Sequence, residues 1–197
     1  MRHGETSWNV EGRYQGHSDV PLSSAGREQA RSLRLRLEAM TEGRHLFDPR
    51  RTAVLSSDLA RARETCELAF GAPGRAIQLD TRLREIGFGV FEGLTRDEID
   101  ARHPEQLAAW QTGDLDFAVA LGESRRDTRA RARAAILAQL ARAPHEHVVV
   151  VTHGGVLRQL LSLCFDDGDA PLGLSYGNTV MHRVHVDDGV WSYDREI

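Results

Sequence analysis

Apolar residues along the chain switch between two periods, and the alternation predicts an α/β fold. "HVVVVTH" at 147–153 is a continuous β-branched run, the pattern of a strand buried on both faces of a parallel sheet. "TAVLSS" at 52–57 is a shorter run of the same kind. Each is followed at once by a helical stripe. After 57, Leu59, Ala62, Cys66 and Ala69 recur on one face; after 153, "GGVLRQLLSLCF" supplies an apolar helix. The stretch 24–40 keeps Ala30, Leu33, Leu37 and Met40 in helical register behind Ser23, a suitable N-cap. "LRLRL" inside it alternates as a strand would, but the length of the stretch without a turn signal favours helix. A second long helix is predicted over 123–143, with Ala130, Ala134, Leu137 and Ala141 on its apolar stripe. "NTVMHRVHVDDGVWSYD" predicts a hairpin turning at Asp188–Gly189.

Strands alternating with helices imply a three-layer sandwich, a mostly parallel sheet with helices on both faces. The 197 residues, 41% of them hydrophobic, suffice for a substantial core, and no Pro/Ser/Gly-rich linker divides them. A single domain over 1–197 is expected, with an inserted helical lid at about 94–121. Ligands of such sheets sit beyond the carboxyl ends of the strands, where Ser56, Ser57 and His153 fall. Arg61 lies in the first turn of the helix after Ser57, where free N–H groups and the helix dipole favour an anion. Arg63 is two residues on, about 200° around the helix, so only one of the two can face that pocket.

Composition narrows the chemistry. The net charge of −4 gives no general attraction to nucleic acid or to anionic membranes. All 25 basic residues are arginine. The absence of lysine excludes Schiff-base catalysis, a Ser–Lys dyad and the P-loop. Anions must be held by arginine, histidine or backbone N–H groups. The run "RRDTRARARA" at 125–134 reads as a solvated helix face rather than a nucleic-acid patch. Cys66 and Cys164 read as small core residues, not as a disulfide or a metal pair. With no apolar run of about 18 residues and no signal region, a soluble, cytoplasmic protein is expected. "HEH" at 145–147 offers two histidines on one side of a strand but no third ligand, and reads as the start of a surface strand. Trp8, Tyr14 and Trp110 read as packing residues, with stacking on a substrate the alternative.

One constellation carries chemistry: Arg2–His3–Gly4, Arg61, Glu85 in "LREIGFG", and His153–Gly154. Neutral imidazole is a good nucleophile near neutral pH. Guanidinium groups hold the equatorial oxygens of a phosphoryl group in forked geometry. A leaving alkoxide needs a proton, which a carboxylic acid can give and later take back from water. The set suits phosphoryl transfer through histidine.

The ordered motifs "RHGETSWN", "GRYQGHSDVPLSSAG", "SSDLARARETC", "LREIGFGVFEGLT", "GES" and "VTHGG" resemble those of the histidine phosphatase superfamily, in its phosphoglycerate-mutase-like branch, through the whole chain. The resemblance implies that His3 is the nucleophile that becomes phosphohistidine. It assigns Arg2, Arg61 and His153 to the phosphate pocket and Glu85 to proton donation. Asn9 and Gly16 fall where relatives hold the phosphate or close over it, or serve as turn residues of an ordered loop. Glu5 and Glu123 orient the loop or line the pocket. No metal or other cofactor is implied.

The expected activity is hydrolysis of a small phosphomonoester, of sugar-phosphate or ribazole-phosphate type. Phosphoglycerate mutase is the alternative, and a non-catalytic phosphate-binding protein the second. The lid argues against the mutase. It carries Asp97, Glu98, Asp100, Glu105, Asp114 and Asp116 against Arg96 and Arg102, and so repels a highly anionic substrate. The expected partner is the substrate alone, with no nucleic acid or membrane, in a monomer or homodimer. In the family the Arg–His pair follows an apolar strand in the middle of the sheet. Only Met1 precedes it here, so this first central strand is expected to be missing or truncated, leaving His3 tethered at one end and the protein poorly soluble or weakly active.

Overall fold

In the computed structural model of the chain, which describes residues 1–40, 43–71, 76–142, 145–165 and 173–197, the order is α1 (Ser7–Val10), α2 (Ser24–Ala39), β1 (Thr52–Ser56), α3 (Ala60–Phe70), β2 (Gln78–Leu79), α4 (Arg96–Arg102), α5 (Pro104–Gln111), α6 (Arg125–Arg142), β3 (His147–Val151), α7 (Gly154–Leu161), β4 (His182–Asp187) and β5 (Val190–Glu196). β1 is buried at every position. It pairs in parallel with β2 on one side and with β3 on the other, Thr52 opposite His147 and Ser56 opposite Val151.

Alternate residues of the two main strands feed two cores, as the two-residue period of a strand requires. On one face Val54, Val149 and Val151 pack against Leu33 and Leu37 of α2 and Ala62, Cys66, Ala69 and Phe70 of α3. On the other, Ala53 and Leu55 pack against Ala132, Ala135 and Ile136 of α6, Val156 and Leu160 of α7, and Trp191. The layers are therefore helix, sheet, helix. Ser23 caps α2 by accepting from the Gly26 N–H at 3.0 Å. The C-terminal hairpin turns at Asp188 and Gly189, both with positive φ, 45° and 80°, as a type I′ turn demands.

The apolar stripe of α6 differs from the expected one. Thr128, Ala132, Ala135, Ile136 and Gln139 face inward, while Ala130, Ala134 and Ala141 are exposed. Two of the inward residues are polar, so the hydrophobic period alone pointed to the wrong face. The expected end of this helix at 143 lies outside the described residues.

The central position beside β3 is filled by Met1–His3. The Met1 amine donates to Val150 O, Thr152 N–H to Met1 O and His3 N–H to Thr152 O, all at 2.9 Å. On the far side Arg2 N–H donates to Val180 O at 3.1 Å. Met1–His3 thus occupy the place of the first strand, and His3 is held along both flanks rather than at one end. Residues 94–121 carry α4 and α5 around a small core of their own, Phe91, Ile99, Leu107 and Val119, which Tyr14, Phe88 and Trp110 extend. A capping box between Thr95 and Glu98 starts α4.

Candidate active site

Parallel pairing brings the carboxyl ends of β1, β3 and the Met1–His3 segment to one edge of the sheet, and the expected constellation meets there. The rings of His3 and His153 lie edge to face with centroids 5.1 Å apart. His3 Nδ1 is 2.6 Å from Gly4 O. A carbonyl only accepts, so Nδ1 carries the proton and Nε2 keeps its lone pair. Arg61 Nε donates to His153 Nδ1 at 3.2 Å, which leaves the His153 proton on Nε2, facing Ser57 Oγ at 2.9 Å. Burial, then the charges of Arg61 and Arg2, push the His3 pKa well below its ordinary value. His153 is depressed likewise, by burial, Arg61 and His3. Both rings are neutral at physiological pH.

Arg61 is fully buried in the first turn of α3. It donates to Ser18 O and Gly16 O, each at 2.8 Å, as well as to His153. Burial lowers its pKa to about 10, with Glu85 opposing, so the cation survives at neutral pH. Arg63 points away, half exposed and 3.9 Å from Glu67. Arg2 donates through Nη1 to Tyr176 O at 2.7 Å, and its buried Nε has no partner among the described residues. Its pKa is lowered by burial and raised by Glu85.

Glu85 lies in the field of both arginines. Its carboxylate accepts N–H bonds from Ile86 at 2.9 Å, Gly155 at 3.1 Å and Val156 at 3.2 Å, the last two at the start of α7. A Cβ at Gly155 would stand 2.5 Å from Glu85 Oε1, so only glycine admits the carboxylate this close. Behind Glu85, Arg131 donates to the carbonyls of Arg82 (2.7 Å), Arg84 (2.6 Å) and Glu85 (2.8 Å), and pairs with Glu123. Glu123 also accepts from Gly87 N–H at 2.9 Å. Arg131 belongs to the run read as a solvated face; that reading holds for Arg126 and Arg133, which are exposed, and fails for Arg131.

The loop over the site is tied from below. Gly16 has φ +51°, and its carbonyl goes to Arg61. Glu92 accepts from His17 N–H (3.0 Å), Ser18 N–H (3.1 Å) and Ser18 Oγ (2.9 Å). Asn9 Oδ1 is occupied by the capping box of α1, accepting from Thr6 N–H at 3.0 Å. Glu5 accepts from Ser23 Oγ at 2.9 Å and so orients the loop from α2. Asn178 donates to His3 O at 3.0 Å and Thr65 Oγ1 accepts from Gly4 N–H at 2.9 Å. Glu92, Thr65, Asn178 and Arg131 were not among the expected residues. Their contacts join positions far apart in sequence, which no local spacing encodes; Thr65 and Glu92 lie within the quoted motifs and Arg131 within the arginine run, but nothing there marked these contacts.

The sequence pattern of the histidine phosphatase superfamily (branch 1) matches residues 1–196. The chain belongs to this superfamily. It is 36% identical to glucosyl-3-phosphoglycerate phosphatase of Mycobacterium tuberculosis over 168 residues, 81% of this chain and 71% of that protein. It is 32% identical to probable phosphoglycerate mutase GpmB of Erwinia tasmaniensis over 192 residues, 97% of this chain and 85% of that one. The solved structure of mycobacterial glucosyl-3-phosphoglycerate phosphatase Rv2419c with VO3 superposes with a TM-score of 0.82 at 33% identity, covering 98% of this chain and 94% of that one. In this histidine phosphatase the quoted segments "RHGETSWN" and "VTHGG" carry the two facing histidines.

Proposed function

We propose that the protein is a phosphomonoesterase that hydrolyses a small phosphorylated metabolite through a phosphohistidine at His3. The observation that carries this reading is a buried, neutral His3, in the field of Arg61 and Arg2, whose Nε2 has no partner among the described residues. His3 Nε2 attacks phosphorus, and the P–O bond to the alcohol breaks. The Glu85 carboxyl, in its acid form, is the group that gives a proton to the departing alkoxide. The Glu85 carboxylate then takes a proton from water, the water oxygen attacks phosphorus, and the P–N bond breaks to release phosphate and neutral His3. Arg2 supplies charge where the equatorial oxygens gather it. Arg61 and His153 fix the floor and the loop of the pocket, and Arg61 adds its field. Asn9 and Gly16 shape the loop above, with the 94–121 segment as the lid. The compartment proposed is the cytoplasm, on the reading of Cys66 and Cys164 as small core residues rather than a disulfide.

Rapid quench with phosphorus-labelled substrate tests the reading. An acid-labile, base-stable label should appear on the wild-type chain and vanish in His3→Ala. Label on another residue, or full activity of that variant, would overturn it. The name of the Erwinia relative supports a second reading, a mutase, in which the label passes to another hydroxyl instead of to water. Release of labelled inorganic phosphate separates the two.

A further inference from the structure

Among the described residues three that are not glycine have a left-handed backbone: Leu121, Thr179 and Asp188, with φ of 63°, 59° and 45°. Asp188 belongs to the hairpin turn, and Leu121 is exposed. Thr179 is neither. It is buried and β-branched, the type of side chain most strained at positive φ, and it stands before β4, outside the hairpin. Such strain persists only where surrounding contacts over-determine the conformation. Its hydroxyl donates to Asn178 O at 2.7 Å, which fastens the turn locally.

What the turn holds is the Arg2–His3 pair. Tyr176 O accepts from Arg2 Nη1 at 2.7 Å, and Val180 O accepts from Arg2 N–H at 3.1 Å. The Thr179 N–H is shared between Arg2 O at 3.2 Å and His3 O at 3.3 Å, and Asn178 Nδ2 donates to His3 O at 3.0 Å. The same amide reaches Asn9 Oδ1 at 3.4 Å, in the capping box of α1. The opposite edge of the His3–Gly4 peptide is fixed as well, since Gly4 N–H donates to Thr65 Oγ1 at 2.9 Å. This peptide plane is therefore pinned at its oxygen and at its nitrogen. It is also the link through which the His3 ring reaches Gly4 O, the contact that puts the ring proton on Nδ1.

Building on the phosphatase reading, we infer that Asn178 and Thr179 are positioning residues for the nucleophile: by holding the His3 carbonyl they fix the peptide plane that aims the His3 ring and keeps its Nε2 unprotonated. Both act through His3 and not on the substrate. The left-handed turn brings one N–H and one side-chain amide to the same oxygen, which has two lone pairs to receive them. The strain at Thr179 is offset by those bonds.

Asn178→Ala removes the amide donor. Thr179→Val keeps the shape of threonine but loses the hydroxyl that fastens the turn. In the double variant kcat should fall by about tenfold to a hundredfold, the cost of a nucleophile displaced by up to about 1 Å, while KM changes by less than about threefold. Thr179→Asn, whose side chain tolerates positive φ, should recover most of the activity that Thr179→Val loses. A second readout needs no turnover. In protein labelled with ¹⁵N-histidine, His3, assigned by the signals lost in His3→Ala, should carry its proton on Nδ1 alone in the wild type. In the double variant the proton should be shared between its two nitrogens, while His153 keeps its own on Nε2. If the double variant does not fold, Asn178→Ala alone is scored by the same two readouts. A turn that only supports the fold would lower the melting temperature and leave both the tautomer and kcat per folded molecule at wild-type values, and that result would overturn the inference. A phosphoryl label found on a residue other than His3 would overturn the phosphatase reading instead, and the comparison of tautomers would still decide whether the turn positions the ring.

Discussion

His3 and His153 present ring to ring at 5.1 Å, planes inclined by 60°, and each sends its one N–H away from the other, to Gly4 O and towards Ser57 Oγ. Neither could take a second proton without standing beside Arg61 as an added buried cation. This sets a pH dependence of stability. Both pKa values are lower folded than the ordinary 6.5, so below about 6.5 the unfolded chain binds more protons and stability falls as pH falls. Each histidine contributes a slope of up to ~1.4 kcal/mol per pH unit between its folded pKa and 6.5, and none above about 7. The melting temperature should therefore drop from about pH 6.5 to about pH 5, and His153→Asn should show a shallower acid drop from its own baseline. A melting temperature that held or rose on acidification over that window would refute the assignment.

Glu85 should matter in proportion to how badly the leaving group needs a proton. Glu85→Gln keeps the shape but has no acid proton. It should cost on the order of 10²–10³ in kcat on alkyl phosphates and much less on p-nitrophenyl phosphate, whose phenolate departs unaided. Equal losses on both substrates would remove Glu85 from the proton-transfer role.

Arg61 and Arg63 differ by two positions and should differ completely in consequence. Arg61→Met strips donors from Gly16, Ser18 and His153 at once, and leaves buried carbonyls unpaired. A loss of roughly 2–4 kcal/mol in stability and of at least 10² in turnover is expected. Arg63→Ala removes only a half-exposed side chain 3.9 Å from Glu67 and should leave both within about 0.5 kcal/mol and twofold of wild type. Denaturant titration and steady-state kinetics on the two variants decide the point.

The contrast shows what the amino-acid sequence displayed and what it hid. β1 and β3 were legible because a buried parallel strand is a continuous apolar run, and the residues at their ends, Ser57 and His153, followed from the fold class. That Arg61 and Arg63 face different ways followed from helix geometry, and the choice of Arg61 as the inward one from its place in the first turn and from the family motif. β2 was not legible: it is only Gln78–Leu79, both exposed, and owes its existence to pairing with Leu55 and Ser56. The inward face of α6 was misread because Thr128 and Gln139 are buried polar residues and an arginine lies alongside them. Asn178 and Glu92 act on loops at separations of 175 and 74 residues, information that lives only in the tertiary fold.

Gly16 is a position where side-chain size and backbone handedness act together. At φ +51° an L-residue is strained by about 1 kcal/mol, and a Cβ there would stand 1.9 Å from Glu92 Oε1. Glu92 would have to release His17 and Ser18. Gly16→Ala should lower stability by roughly 1–3 kcal/mol and raise KM more than it lowers kcat, since the loop it loosens lies over the pocket. An unaltered KM with a lowered melting temperature would confine Gly16 to a purely structural role.

Arg131 should be a positioning residue for Glu85. Its fork holds the carbonyls of Arg82, Arg84 and Glu85 together and ties them to Glu123, so the stretch that carries the carboxylate cannot slide along α6. Lysine has the charge but not the planar fork, and can satisfy at most part of this set. If the fork matters through Glu85, Arg131→Lys and Arg131→Gln should lose activity with the same leaving-group pattern as Glu85→Gln, large on alkyl phosphates and small on p-nitrophenyl phosphate. A displacement of the acid of about 1 Å is enough to cost on the order of a hundredfold. If Arg131 merely supports the fold, the variants should melt earlier but lose activity on both substrates alike. The ratio of the two rates, measured well below the melting temperature, separates these outcomes. Combining Arg131→Gln with Glu85→Gln should add little further loss on alkyl phosphates, because the second change removes the group that the first one misplaces.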